Sequence, residues 1–461
     1  MAIIFILTIL ILASLYVLIS KKTDKIPLIS LAITAAIAIF FFLGSLSSAY
    51  IDSLSLGMKV FFLSIGFLII WSSESLIDYE IENKRQPLYY SMILLLLGSL
   101  CLIVNLDNLI LVYVVLELSA FLSAGIVMIK PERANFRAGI KYLLLSILAS
   151  AFFLIGMVIL YRLTSTFNIS QIRELLPWNS DLVRYAFIFI FVGLAFKSAL
   201  FPFHIWLPDA HGSAPSTSSA ILSALVLKAY IILFIKMIYL AFGFELVKSL
   251  NFLPIVLILG VAAMIYGSLL AILQENLKDR LAYSSIAQIG YIFMGLGLGT
   301  PLGLMAAVFH IIAHGVTKAC LFLSAGRIID RTGLKKTQNM QGLAKSLPVT
   351  MAMYTICGLS MIGIPLLVGF TSKWNFAMAI MEERNILLIV VLSLSSLLNG
   401  IYFLPLSIRS YFVLDESRER EMDLEGEGEL PLAILGLLVI VTGIFSNPLI
   451  GLLKNIIDGL I

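Results

Sequence analysis

Residues 191–229 read FVGLAFKSALFPFHIWLPDAHGSAPSTSSAILSALVLKA. Apolar side chains dominate both ends, yet each end carries a lysine, Lys197 and Lys228, deep in what reads as a membrane-spanning helix. Between them stand Pro202, His204, Pro208, Asp209 and His211. Proline removes a backbone donor and bends a helix. Backbone freed in this way is tolerated at membrane depth only where it lines a cavity. The stretch therefore predicts one span interrupted beside a lysine, followed by a span with a second lysine at its centre.

The composition requires the same setting. Of 461 residues, 60% are AVILMFWYC and 13% are charged, against about 45–50% apolar and about 25% charged in soluble domains. The mean hydropathy is +1.04. These values exclude a soluble globular, disordered, collagenous, coiled-coil or disulfide-stapled chain. Long unbroken runs of Leu, Ile, Val and Phe fit helices, whereas a barrel would alternate in stretches of about ten. Cys101, Cys320 and Cys357 lie in apolar runs without CxxC or Cys/His spacing, so neither a metal centre nor a cofactor is expected. No P-loop or Rossmann glycine pattern occurs, and nothing points to nucleic acid. No catalytic site of the chain's own is expected. The first apolar run has no basic residue before it and no cleavage site, and reads as a span rather than a signal peptide.

A spanning helix needs about 20 apolar residues. Fourteen runs qualify: 2–20, 26–50, 54–77, 88–106, 107–130, 140–164, 183–206, 216–244, 250–274, 280–299, 301–328, 348–381, 386–413 and 431–454. Asn105, Asp107 and Asn108 alone separate the fourth from the fifth, which predicts a tight hairpin. The expected fold is all-α and integral to the membrane, one polytopic domain over 1–461. It divides into three N-terminal helices (1–87), a five-helix unit (88–244), a second five-helix unit (250–414) and a last helix (431–454). The seventh span breaks at Pro202, and the twelfth at Gly363, Pro365 and Gly369. Interrupted helices in corresponding halves predict two inverted repeats, spans four to eight and nine to thirteen. Loops after odd-numbered spans hold nineteen Lys and Arg, Lys278 and Arg280 among them, against six in the even loops and C-terminal end. The positive-inside rule then puts odd loops in the cytoplasm and both termini outside.

Ionisable groups in mid-span carry the functional information. Glu117 lies in the fifth span, Lys197 in the seventh, Lys228 and Lys236 in the eighth, and Lys373 in the twelfth. His310, His314 and Lys318 share the eleventh at i, i+4 and i+8, which stacks them on one face about 6 Å apart. A charge at a helix centre costs about 2.5–3.5 kcal/mol on the lenient insertion scale, so four lysines and a glutamate left unpaired would cost on the order of 12–15 kcal/mol. They must face a protein-lined interior and pair in part. Snorkelling accounts for Lys59, Lys130 and Lys141, and competes with a path role for Lys236. A stack of His310, His314 and Lys318 can relay protons, since histidine titrates near neutral pH. A hydrogen-bonding polar seam is the other reading. A metal at the two histidines lacks a third ligand.

The stretch FKSALFPFHIWLPDAHGSAPSTSSAILSALVLKA resembles the signature of the antiporter-like subunits of respiratory complex I. It is equally similar to the large subunits of Mrp-type cation/proton antiporters and to the membrane arms of energy-converting hydrogenases. LAYSSIAQIGY, HIIAHGVTKACLFLSAG and GIPLLVGFTSKW extend the resemblance over about residues 88–414. It implies that Glu117 pairs with Lys197, that Lys228 carries the path toward the second half, that His310, His314 and Lys318 form the relay, and that Lys373 ends the axis. Lysine at 373 is more like the Mrp D-type or the quinone-proximal complex I type. His204, Asp209, His211 and Lys236 are accessory candidates. The expected function is proton translocation within a multisubunit complex of a prokaryotic plasma membrane. Expected partners are other membrane subunits, either small hydrophobic Mrp-like ones or those attached to a peripheral iron–sulfur redox arm. Sodium/proton antiport is the alternative, and a solute carrier or scaffold is disfavoured. Sodium wants clustered oxygen ligands, whereas this interior is rich in lysine. The acidic segment 415–429 reads as a solvated loop.

Overall fold

The computed structural model describes residues 17, 53–177, 180–412 and 429–460. Except for Val17, the first two predicted spans lie outside the described residues, as does most of the acidic 415–429 segment. Among the described residues the chain is helical, with isolated bridges in place of strands. The main helices are α1 (Ser53–Ser73), α2 (Gln86–Asn105), α3 (Leu109–Val127) and α4 (Arg133–Thr164). Next come α5 (Asp181–Lys197), α6 (Leu207–Ser213), α7 (Ser216–Phe242) and α8 (Leu253–Leu273). They are followed by α9 (Leu277–Gly297), α10 (Pro301–Thr332), α11 (Pro348–Ile362) and α12 (Val368–Glu382). The last are α13 (Ile386–Tyr411), α14 (Glu429–Ile444) and α15 (Ser446–Asp458). Among the described residues, eight helices are long and apolar enough to cross a membrane, and a ninth span counts if α14 and α15 are one. That pair bends by 75° at Phe445, so the run 431–454 is not the straight rod its hydropathy implied.

Local chemistry sets the ends. Asn108 accepts the amides of Ile110 and Leu111 and starts α3, and Asn276 does the same for α9 through Lys278. Thr300 caps α10 through Gly303, with Pro301 in the first turn, where its missing N–H costs nothing. The seventh predicted span, 183–206, is helical only to Lys197. Pro202 lies in the non-helical stretch before α6, so Lys197 ends a helix rather than sitting in the middle of one. Pro365 lies in the corresponding stretch between α11 and α12.

Two backbone clasps share one layout. Asn108 bridges Asn168, with Leu109 N–H donating to Phe167 and Ile169 N–H to Asp107. Asn276 bridges Lys336, with Leu277 N–H donating to Lys335 and Thr337 N–H to Glu275. Asn108 and Asn276 stand 168 residues apart, and so do Asn168 and Lys336. The same displacement carries Arg133–Thr164 onto Pro301–Thr332, both of 32 residues.

Burial separates a centre from a rim. The apolar stretch of α7 is wholly buried and that of α10 nearly so, whereas those of α4, α8 and α13 are mostly uncovered. Leu144, Ile155, Ile258, Leu273, Leu397 and Ile401 are exposed on the rim helices. Helices α8 and α9 approach so closely that a Cβ on Gly290 would lie 2.6 Å from Met264 N and 2.5 Å from Gly260 O. Small residues at such crossings let backbones touch, which is how membrane helices gain packing without a hydrophobic driving force. Gly290→Val should therefore force α8 and α9 apart. The expected cost is about 1–3 kcal/mol or more, read as a lower melting temperature of the detergent-solubilised chain, with Gly451→Ala, where a Cβ meets open space, unchanged.

Candidate functional site

At one edge, α3 presents Glu117 and α5 ends on Lys197. The Lys197 ammonium lies 3.6 Å from Glu117 Oε1 and donates to Ser146 Oγ of α4 at 2.9 Å. It also sits 5.7 Å from the centre of the Tyr230 ring. Tyr230 OH is 2.9 Å from Ser119 Oγ. Lys197 is buried, whereas the Glu117 side chain keeps about a third of its surface open at the bundle edge.

Lys228 is in the middle and has no exposed surface. It follows a π-helical turn, Leu222–Val226, in which the ordinary helical bonding is loosened. Its ammonium bonds the carbonyl of Ser223 and lies 2.8 Å from His314 Nδ1. His314 stacks on His310 with ring centres 5.8 Å apart and planes 5° apart. His310 Nδ1 is 2.7 Å from Ser372 Oγ on α12, and its ring stacks on Tyr291 of α9. A cavity of about 10 Å³ bordered by Gln288, His310, His314 and Lys373 has room for about one water.

Lys373 reaches back into the α11–α12 break. Its ammonium donates to the carbonyls of Met361 at 2.9 Å and Ile362 at 2.8 Å, and to Ser396 Oγ at 2.9 Å. Those are carbonyls of the last turn of α11, which has no further helix to bond. Gly363 makes this possible twice over. Its φ of +99° is a left-handed conformation, and a Cβ there would lie 2.9 Å from Lys373 Cδ.

The stack expected on α10 is partly rearranged. His310 and His314 stand together, but Lys318 turns to α9, donating to the Leu281 carbonyl at 2.7 Å and to Ser284 Oγ. The histidine pair continues through Lys228 and Ser372 instead. Of the accessory candidates, His204 packs on Phe201 and Tyr266 in the α5–α6 break. Asp209 pairs with Lys141 at 2.6 Å, both partly exposed. His211 is fully buried against Phe322, with no hydrogen-bond partner at either ring nitrogen. Lys236 donates to the Val104 carbonyl at 2.8 Å. Lys59 does not snorkel. It is 2% exposed and donates to Asn105 Oδ1 at 2.6 Å, because the end of α2 offers it an acceptor inside the bundle.

Sequence reasoning missed several groups. Ser146, Ser372, Ser396, Tyr230 and Tyr291 carry no signal, since hydroxyls are common in membrane helices. Lys278, read as a loop charge, is buried, its ammonium on the Ala214 carbonyl. It lines a cavity of about 1020 Å³ together with Glu80, Glu132, Asp209, Asp279 and Lys335. Among the described residues no three His, Cys, Asp or Glu side chains are grouped to hold a metal ion.

Gly363→Ala should cost about 1–2 kcal/mol for the left-handed backbone alone. It should also push Lys373 off its carbonyls. The expected result is a lower melting temperature, whereas Gly400→Ala, with only an ordinary contact to Leu404, should leave the melting curve in place.

Residues 107–399 match the family described as NADH:quinone oxidoreductase/Mrp antiporter, TM. The NADH-quinone oxidoreductase subunit N of Desulforudis audaxviator is 33% identical over 389 residues, covering 80% of this chain and 76% of that one. A Na(+)/H(+) antiporter subunit of Alkalihalophilus pseudofirmus is 31% identical over 439 residues, 88% of this chain and 53% of that one. The fold matches a chain in the structure of the membrane-bound sulfane sulfur reductase (MBS), an archaeal respiratory membrane complex. That match has a TM-score of 0.87 at 24% identity over 99% of this chain and 97% of that one. The chain therefore belongs to the NADH:quinone oxidoreductase/Mrp antiporter transmembrane family.

Proposed function

We propose that this chain is the proton-translocating, antiporter-like subunit of a multisubunit complex in a prokaryotic plasma membrane. Protons move along Glu117, Lys197, Lys228, His314, His310 and Lys373, with Lys318 joined to the set by its charge rather than by a direct bond. The observation that carries this reading is the contact between Lys228 Nζ and His314 Nδ1 at 2.8 Å. It joins the lysine of the first half to the histidine pair of the second, and these side chains are buried. The lysine nitrogen can donate to a lone pair on Nδ1, and the contact fails only where an ammonium meets a protonated Nδ1, so the bond links the protonation states of Lys228 and His314.

The same reading has fourteen spans, with both termini outside. Units 88–244 and 250–414 are inverted repeats, preceded by 1–87 and followed by 431–454. The constant displacement of the two clasps and of α4 onto α10 supports it. Five spans per unit is an odd number, so the second unit enters from the opposite face. The chain offers no energy source, and the drive comes from partner subunits, through a redox arm or an ion gradient.

A second reading, membership of a sodium/proton antiporter, is favoured by the 31% identity to the Na(+)/H(+) antiporter subunit of Alkalihalophilus pseudofirmus. The lysine-rich interior argues that protons, not sodium, use this row even there. In proteoliposomes of the intact complex, Lys228→Ala and Lys197→Ala should each abolish coupled proton transport, and Glu117→Gln should reduce it at least about tenfold. Wild-type rates in all three would end the proposal. Dependence of the flux on an imposed sodium gradient separates the antiporter from the redox-driven pump.

A further inference from the structure

The linker from α6 into α7 is two residues, Ala214–Pro215, followed by Ser216, the first residue of α7, and two ionisable side chains from elsewhere hold this three-residue stretch. The Glu80 carboxylate accepts the Ser216 amide with both oxygens, at 2.9 and 2.8 Å, and the Ser216 hydroxyl at 2.7 Å. The Lys278 ammonium donates to the Ala214 carbonyl. Glu80 comes from the segment after α1, and Lys278 from the first turn of α9. An anion thus holds the N–H side of the linker and a cation its C=O side, and both line the 1020 Å³ polar cavity. Three residues before Ala214 is His211, fully buried with no partner at either ring nitrogen. The charges that act on it are the ammonium groups of Lys318, Lys278 and Lys228. Immediately after the linker begins α7, whose π-helical turn precedes Lys228.

We propose that Glu80 and Lys278 are positioning residues that latch the Ala214–Ser216 stretch shut between the polar cavity and His211, and that release of the latch is the gate through which the cavity exchanges protons with Lys228. The inference rests on the transport reading above and adds the residues that control access. Hydrogen bonds to charged partners are the strong ones. Neutralising either end leaves the other bond in place but lets the linker swing. Because the His211 carbonyl of α6 accepts the Ser219 hydroxyl of α7 at 3.1 Å, that swing moves His211 and the N-terminus of α7 together. Glu80 and Lys278 act through the backbone and carry no proton themselves.

The test uses the intact complex with Glu80→Gln, Lys278→Met and Lys278→Arg, read two ways. Hydrogen–deuterium exchange of the amides at 214–219 should rise about tenfold in Glu80→Gln and Lys278→Met, the loss expected for one charged hydrogen bond. Lys278→Arg, which keeps the cation, should restore protection. Passive proton leak into proteoliposomes, measured without a driving substrate, should rise several-fold in the same two variants and not in Lys278→Arg. Unchanged exchange in both neutral variants overturns the latch. Raised exchange with wild-type leak overturns the gate and leaves a structural clamp. A Lys278→Arg variant that exchanges normally yet blocks driven transport would make Lys278 a proton carrier and overturn its positioning role. The exchange measurement needs no transport, so it stands if the transport reading itself fails.

Discussion

An ammonium group inside a water-poor bundle must find oxygen or nitrogen acceptors, and regular helices offer few. This constraint organises the molecule. Every helix interior spends its carbonyls on its own amides, so acceptors become free only at ends, breaks and loosened turns. Four of the buried lysines are found at those places, whereas Lys197 takes the Ser146 hydroxyl in α4 and Lys318 the Leu281 carbonyl and Ser284 hydroxyl in α9. Lys373 takes the last carbonyls of α11. Lys228 takes a carbonyl from a π-helical turn. Lys236 takes Val104 at the end of α2, and Lys278 takes Ala214 at the end of α6. The interruptions in this fold are therefore the means by which cations are kept inside at tolerable cost.

The displacement of 168 residues gives the two halves a shared plan with different chemistry. Glu117 and Ser146 surround Lys197 in the first unit. The residues displaced from them by that interval are Ser285 and His314. Both face α7, Ser285 through Ser223 at 3.0 Å and His314 through Lys228 at 2.8 Å. Lys228 thus occupies toward the second unit the place that Lys197 occupies in the first, but with an imidazole and a hydroxyl instead of a carboxylate. A fixed counter-charge holds a proton on its lysine, whereas a neutral imidazole can exchange one.

Much of this was legible in the sequence, and what was illegible has a physical cause. Helix positions followed from apolar run length because lipid forbids unsatisfied backbone. The breaks followed from Pro202 and Pro365. The lysines stood out because their insertion cost is too high to be accidental. Spacing could not say which neighbour each side chain would choose. The interval of His310, His314 and Lys318 gives one face of one helix, yet Lys318 turns to Ser284 on α9 and His314 to α7. Glu80 and Lys278 looked like loop charges because their partners are backbone atoms of a linker far away in sequence. The bend at Phe445 lies inside an apolar run, where hydropathy has no way to register it.

The distribution of charge also limits where control can be exerted. Lys228, His314, His310 and Lys318 are shut inside α7, α9 and α10, where no partner subunit can touch them. Only the ends of the row reach toward the surface. Glu117 keeps a third of its side chain open at the α3 edge, and Lys373 borders an apolar groove of about 810 Å³ floored by α12 and α13. Charges act on one another more strongly in a medium of low dielectric constant than in water, so these ends are where a charge outside the chain acts on the buried groups most directly. A buried set of charges that nears the surface only at its ends is open to influence from outside only there.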